Sequence, residues 1–246
     1  MVQSIERAMK IINILRSNPH KRLWSISEVA ENVDLPPSSV HRLISALMKN
    51  GLIAQDQETK RYQVGYAWME IGFWLHDHLD FREIARPIME QLAQDVQESV
   101  YFSIPHGDVA VIIERIDSPS NVRIIDNLGE RIPLDVGAAN KSMLAFMNPS
   151  ETNRLIHRLV QSAADKQKLF VQLDQIRTNG FSFSSDEKTK GTTSIAAPVF
   201  GKDGKVVGSL YINMLTEENE LARSESLARK VMDAAERVSK LTGRAP

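Results

Sequence analysis

The sequence predicts an α+β chain in two parts, a small helical head closed by a hairpin and a larger body of hairpins and helices. Three observations carry that expectation. Apolar residues recur with helical period through roughly the first 50 positions and are followed by two strand-like runs around a polar turn. Beyond residue 80 the pattern changes, with strand-like runs towards both ends of the body and helices between and after them. Charge divides at the same place. Residues 1–64 hold nine Lys/Arg against six Asp/Glu and the remainder 21 against 25, so the net charge of −1 averages a mildly basic head and an acidic body. Such a split excludes a bulk polycation but points to an anionic partner for the head.

The first helix is expected from Ile5, Ala8, Met9, Ile12 and Leu15 on one face, with Ser4 placed to cap it and Asn18-Pro19 to end it. Ser25-Ile26-Ser27-Glu28 is a capping box, so a short second helix carries Val29, Ala30 and Val33. Leu35-Pro36-Pro37 is a tight connection, because proline suits a helix entry where its missing N–H costs nothing. A third helix then runs from about Pro37 to Asn50, burying Val40, Leu43, Ile44 and Leu47, with Gly51 in the left-handed position past its end. The opposite face presents Ser38, Ser39, His41, Arg42, Ser45 and Lys49: short hydrogen-bonding groups and cations, with no carboxylate. A short helix, a brief turn and a helix with that face form a helix-turn-helix, whose second helix enters the major groove. Residues 51–55 and 61–65 then read as a hairpin around a polar turn, the wing, with Lys60 and Arg61 at its tip to meet phosphates.

Tyr66 to His78 is apolar around much of its circumference and must cover Trp68, Ile71, Phe73, Trp74 and Leu75 on the head or on a second chain. Two-fold dimers commonly read duplex sites, so a homo-oligomer is expected. His76 and His78 stand two residues apart, on different sides of a helix, and support no metal site. The body opens with a helix over Phe81–Val96. Hairpins follow at residues 100–113, turning at His106-Gly107-Asp108, and at 194–213, turning at 201–205. Helices are expected near 141–147, 151–159 and 166–179, with a long final helix through Leu227, Val231, Ala234, Val238 and Leu241.

The 246 residues, 42% apolar and 25% charged, suit folded domains with real cores. Cysteine is absent, which excludes disulfides, Cys-zinc sites, iron–sulfur clusters and thiol nucleophiles. Apolar runs fall short of the roughly 20 residues that span a bilayer. The opening MVQSIERAMK lacks the order of a signal peptide, so a cytoplasmic protein without a membrane partner is expected.

Several segments together resemble the IclR family of bacterial transcription regulators. They are VQSIERAMKIINIL, LPPSSVHRLISALMKNGLI, RYQVG, IPLDVGAANKSMLAFM, IRTNGFSFSSDEKTKGTTSIAAPVF and GKDGKVVGSLYI, in order through nearly the whole chain. The resemblance implies a winged helix-turn-helix domain at 1–65, a linker helix at 66–80, and a GAF-like effector-binding and oligomerising domain at 81–246. It also implies homodimers or tetramers built from dimers, operator DNA as partner, a small organic or aromatic acid as effector, and no cofactor. Such regulators repress or activate catabolic operons. Carried over by matching blocks, the effector positions are Ala138, Ala139, Asn140, Lys141, Ser184, Ser194, Tyr211 and Asn213. Asn140 stands where relatives commonly have glycine, Ser184 where they often have Asp, Ser194 where they often have Cys, and Tyr211 and Asn213 where small hydroxyls are frequent. These departures imply a differently shaped, still polar pocket, with backbone amides at the helix start near residue 138 as an anion site.

Two motifs are set aside. Residues 137–142 end like a phosphate-binding loop, but Asp135 and Asn140 occupy the positions where that loop needs glycine. Asp186-Glu187 reads as solvated surface rather than as a catalytic pair, since no supporting His or Ser motif accompanies it. An enzyme acting on a small molecule with an accessory DNA-binding head is the alternative class. A protein-interaction module is a third. The favoured reading places Ser39, His41 and Arg42 nearest the bases, has no catalytic or metal site, and couples effector to operator through the linker.

Overall fold

The computed structural model describes residues 3–77, 80–120, 124–216 and 220–243, with residues 76, 77, 80–82 and 220–223 described by backbone alone. Two compact units divide at residue 79.

In the first unit, α1 (Gln3–Leu15), α2 (Ile26–Val33) and α3 (Pro37–Lys49) precede strands β1 (Ile53–Gln55) and β2 (Tyr62–Val64), and α4 (Ala67–Asp77) follows. The capping box forms as the sequence requires. The Ser25 hydroxyl accepts from the Glu28 amide at 3.3 Å, and the Glu28 carboxylate accepts from the Ser25 amide at 2.7 Å. Asp34, in the left-handed conformation at φ 53°, closes α2 and turns the chain into α3. Ile11, Ile12, Leu15, Val29, Val40, Ile44, Leu47 and Tyr62 form the core. Trp24 bridges to Tyr62, so the two-stranded wing is widened at its base.

Two expectations for α1 change. Ser4 lies within the first turn instead of capping it, and Ile5 and Met9 stay exposed. The buried stripe runs through Ala8, Ile11, Ile12 and Leu15, because α2, α3 and the wing offer only that side of α1 a partner.

In the second unit, α5 (Asp80–Val96) leads into β3 (Ser99–His106) and β4 (Val109–Ile116). After them come β5 (Arg131–Pro133), α6 (Ala138–Phe146), α7 (Pro149–Leu159), α8 (Ala163–Asn179), β6 (Ser182–Ser185), β7 (Thr192–Phe200), β8 (Val206–Leu215) and α9 (Glu220–Leu241). The strands form one antiparallel sheet in the order β5-β4-β3-β8-β7-β6. Its alternation sorts side chains by face. Val100, Phe102, Ile195, Ala197, Leu210 and Ile212 meet α5 and α9. Tyr101, Ala196 and Tyr211 face the other way, where α6 lies on the sheet and α7 and α8 pack against α6. This three-layer arrangement is the GAF-like half of the fold.

Candidate nucleic-acid interface and ligand cavity

The residues of α3 expected to face DNA lie outside its buried core stripe. Ser38, His41, Arg42 and Lys49 are exposed, and Ser39 and Ser45 are half-buried beside the core positions. Lys60 and Arg61 are exposed at the wing turn, with Lys60 in the left-handed conformation at φ 57°. The Asp56 carboxylate holds that turn by accepting from the amide and hydroxyl of Thr59 at 2.7 and 2.6 Å. Arg61 leans back towards α2, its Nη1 lying 3.7 Å from the Glu28 carboxylate.

Glu28 is a hub that the sequence showed only as a cap. It also accepts from Lys21 Nζ at 2.8 Å. The Lys21 bond, then the Ser25 amide and hydroxyl, lower its pKa from the ordinary 4.5 to about 2. Lys21 itself lies 4.0 Å over the Trp24 ring.

The wing's exit is tied to the end of α3. The amide of Gly65 and the indole Nε1 of Trp68 both donate to the Leu52 carbonyl at 3.0 Å, and the Ala67 amide donates to the Gly51 carbonyl at 3.2 Å. Gly65 is needed for this crossing, since a Cβ there would lie 2.0 Å from the Gly51 oxygen. Trp68 thus packs on the head, whereas Met69, Ile71, Phe73, Trp74 and Leu75 are each more than half exposed. His78 lies outside the described residues, as does the side chain of His76. Among the described residues, no group of three or more His, Asp or Glu is placed to hold a metal.

In the body, strand register converges the expected effector positions. Ser184, Ser194, Asn213 and Ser99 are successive cross-strand neighbours in one row, and Ala196, Tyr211 and Tyr101 form the next. The Tyr101 and Tyr211 rings stack at 5.1 Å. Burial raises the pKa of the Tyr211 hydroxyl well above its ordinary range and raises that of Tyr101, so both remain neutral. Ala138, Ala139, Asn140, Ser194, Tyr211 and Asn213 line one cavity of about 30 Å³, together with Asp126, Ile132 and Lys188. That volume holds roughly one or two waters and no organic acid.

Ser184 and Lys141 are engaged otherwise, and Asn140 has a structural role besides lining the cavity. Ser184 caps α6 by accepting from the Ala138 amide at 3.0 Å. The Asn140 amide donates to the carbonyls of Ile132 and Pro133 at 3.3 and 2.7 Å, stapling β5 to α6. Lys141 is directed into a separate groove, where its Nζ meets Glu187 at 2.6 Å and Gln172 at 3.1 Å. Asp186 and Glu187 are exposed, as expected of solvated surface, and each also accepts a hydrogen bond from the backbone. Glu187 accepts from the Gly137 amide at 2.9 Å, and Asp186 from the Gly191 amide at 2.6 Å. The anion at the start of α6 is therefore the protein's own carboxylate.

Sequence reasoning missed Asp126, Glu130 and Lys188. Lys188 Nζ bridges Asp126 at 2.7 Å and Glu130 at 2.9 Å, and Lys188 and Asp126 both line the cavity. These pairs are long-range, and no local spacing announces them.

Comparison with known proteins places the chain. Residues 4–57 match the IclR helix-turn-helix domain, and residues 74–240 match the C-terminal domain of the bacterial transcriptional regulator IclR. The chain belongs to the IclR family of bacterial transcriptional regulators, and these are DNA-binding proteins rather than enzymes. It is 30% identical over 247 residues to the HTH-type transcriptional regulator KipR of Bacillus subtilis, covering 98% of this chain and 97% of that one. An IclR transcriptional regulator from Alicyclobacillus acidocaldarius shares the fold with a TM-score of 0.83 and 22% identity, covering 99% of this chain and all of that one. An IclR homologue from Microbacterium hydrocarbonoxydans, complexed with 4-hydroxybenzoate, has a TM-score of 0.81 and 18% identity over 97% and 98% of the two chains. No helix among the described residues is long and apolar enough to cross a membrane.

Proposed function

We propose that two copies of this cytoplasmic chain read an operator and that a small organic or aromatic acid, bound in the GAF-like domain, changes their affinity for it. The observation that carries the reading is the outer face of α3. It is exposed, cationic and hydroxyl-bearing, and has no carboxylate from Ser38 to Lys49. Arg42 is the best-suited base reader because its planar fork matches the two acceptors of guanine. Ser39 and His41 lie beside it in sequence, and Lys49, Lys60 and Arg61 serve the phosphates.

The domain limits that fit this reading are 1–65 for the DNA reader, 66–80 for the linker and 81–246 for the sensor. Dimerisation through α4 would cover Ile71, Phe73, Trp74 and Leu75, which lie around its circumference and are each more than half exposed in the single chain. Tetramers as dimers of such dimers fit the same chemistry. The acid-bound relative supports an aromatic acid as effector class, and the cavity in its present state would have to open to admit one. Because α4 is bonded to Gly51 and Leu52, just beyond α3, movement of the linker would be felt at the DNA-reading helix.

The test is a thermal-shift screen of small organic acids on the intact protein, followed by operator titration with each binder. Coupling requires that the binder shift operator affinity, and that operator shift binder affinity by the same factor. Binding with unchanged operator affinity rejects the coupling for that acid.

A further inference from the structure

The cavity already holds an anion, and it comes from the protein. Asp126 is buried, and its two carboxylate oxygens are separately engaged. Oδ2 accepts from Asn213 Nδ2 at 2.7 Å, and Oδ1 pairs with Lys188 Nζ at 2.7 Å. The Ser194 hydroxyl donates to Asn213 Oδ1 at 2.5 Å, which fixes the amide with its N–H end towards Asp126. A socket with one oriented amide donor and one ammonium is built for a carboxylate.

The segment that delivers Asp126 is strapped rather than packed. Between residues 124 and 130, Ile125 and Leu128 are exposed. The strap is held by Tyr101, whose hydroxyl donates to the Ile124 carbonyl at 2.7 Å and accepts from the Asp126 amide at 3.2 Å. Arg115 donates to the Asp126 carbonyl at 2.9 Å, and the Gly129 amide donates to the Ile112 carbonyl at 2.7 Å. These bonds are polar and individually exchangeable with water, unlike the apolar layers beneath the sheet.

We propose that Asp126 is a built-in occupant of a carboxylate subsite formed by Asn213 and Lys188, and that an incoming carboxylate replaces it and lifts the strap. The effector role of that carboxylate rests on the reading given under Proposed function. A tethered carboxylate competes at an effective concentration on the order of mM. A bare carboxylate therefore loses to it, and a successful effector needs a body beyond the charged group. Departure of Asp126 opens space beside Tyr211, Ile132 and Ala138, which suits a planar or short apolar body. The ligand class is a small monocarboxylic acid with such a body.

Chemical rescue tests this on the full chain. In Asp126→Ala the socket is vacated, so acetate should bind it at least about tenfold more tightly than it binds the wild type, against a chloride control of equal ionic strength. Acetate should also raise the variant's melting temperature saturably, and the double variant D126A/K188M should lose the response. Equal acetate affinity in wild type and D126A, or a rescue indifferent to Lys188, overturns the proposal. If D126A does not fold, Asp126→Asn keeps an acceptor for Asn213 but gives up the ion pair. It should bind benzoate more tightly than wild type, and equal affinity again overturns the proposal. Calorimetry with acetate reads the socket alone, whereas operator titration reads regulation. Failed rescue beside an acid that shifts operator affinity removes the plug but not the effector reading. Successful rescue with no acid that shifts operator affinity leaves the subsite and removes its regulatory role.

Discussion

The indole of Trp68 donates a hydrogen bond to the carbonyl of Leu52 across 3.0 Å, joining the first turn of α4 to the chain just beyond α3. In Trp68→Phe the ring stays and the bond goes, a loss of about 0.5–1.5 kcal/mol. Native-state hydrogen exchange around residues 47–55 should then accelerate by roughly 2- to 12-fold, since each 1.4 kcal/mol is a factor of ten. Unchanged exchange there would mean that the bond does not hold the junction.

Gly65→Ala places a methyl group 2.0 Å from the Gly51 oxygen and 2.8 Å from the Leu52 carbonyl carbon. Both neighbours are backbone, so neither can yield cheaply. A destabilisation of the head by about 3 kcal/mol is expected, at the upper end of overpacking costs. Operator binding should fall while the acid affinity of the body is kept, as anisotropy and calorimetry on the same sample would read.

Glu28 makes the head acid-sensitive in a defined window. Its pKa is lowered in the fold, so its contribution is complete above the ordinary value of 4.5 and is lost as pH falls through about 2. Head unfolding followed between pH 6 and 2.5 should show stability falling below pH 4.5 in the wild type. Glu28→Gln should remove that part of the slope. An identical acid limb in the two proteins would place the sensitivity elsewhere.

The exposed apolar residues of α4 give a prediction about assembly. Replacing Phe73 and Leu75 by Glu sets charge on residues that are 58% and 54% exposed in the single chain, so the fold itself should tolerate it. Analytical ultracentrifugation should find the variant monomeric at concentrations where wild type is oligomeric, with a normal circular dichroism spectrum. A variant with wild-type assembly would move the interface off this helix.

Much of the fold was legible because its signals are local. The capping box at Ser25, the Pro36-Pro37 entry and the period of α3 each act within a few residues. The two hairpins of the body likewise announce themselves at their turns. Strands β5 and β6 were missed: three and four residues long at the sheet edges, they lack a run in which alternation could show. Ile5 and Met9 share a helical face with buried residues, yet periodicity cannot tell which part of a stripe finds a partner. In the cavity, Ser194, Tyr211 and Asn213 followed from matching blocks, whereas Asp126 meets Asn213 across 87 residues of chain. Lys141 and Glu187 were each noticed alone, but only the fold pairs them.

Sequence reading through α3 is the function proposed for this chain. The most direct measurement is fluorescence anisotropy of the intact protein on a duplex it has enriched from a random pool and on a scrambled duplex, over a range of salt. Wild type should prefer the enriched duplex by about 10³-fold or more at physiological salt. Arg42→Ala should lose about 1–3 kcal/mol of that preference at one base position. Lys60→Ala should instead weaken both duplexes alike and reduce the salt slope by about one. Failure to enrich any sequence, or equal affinity for the two duplexes with Arg42→Ala indistinguishable from wild type, would contradict the account.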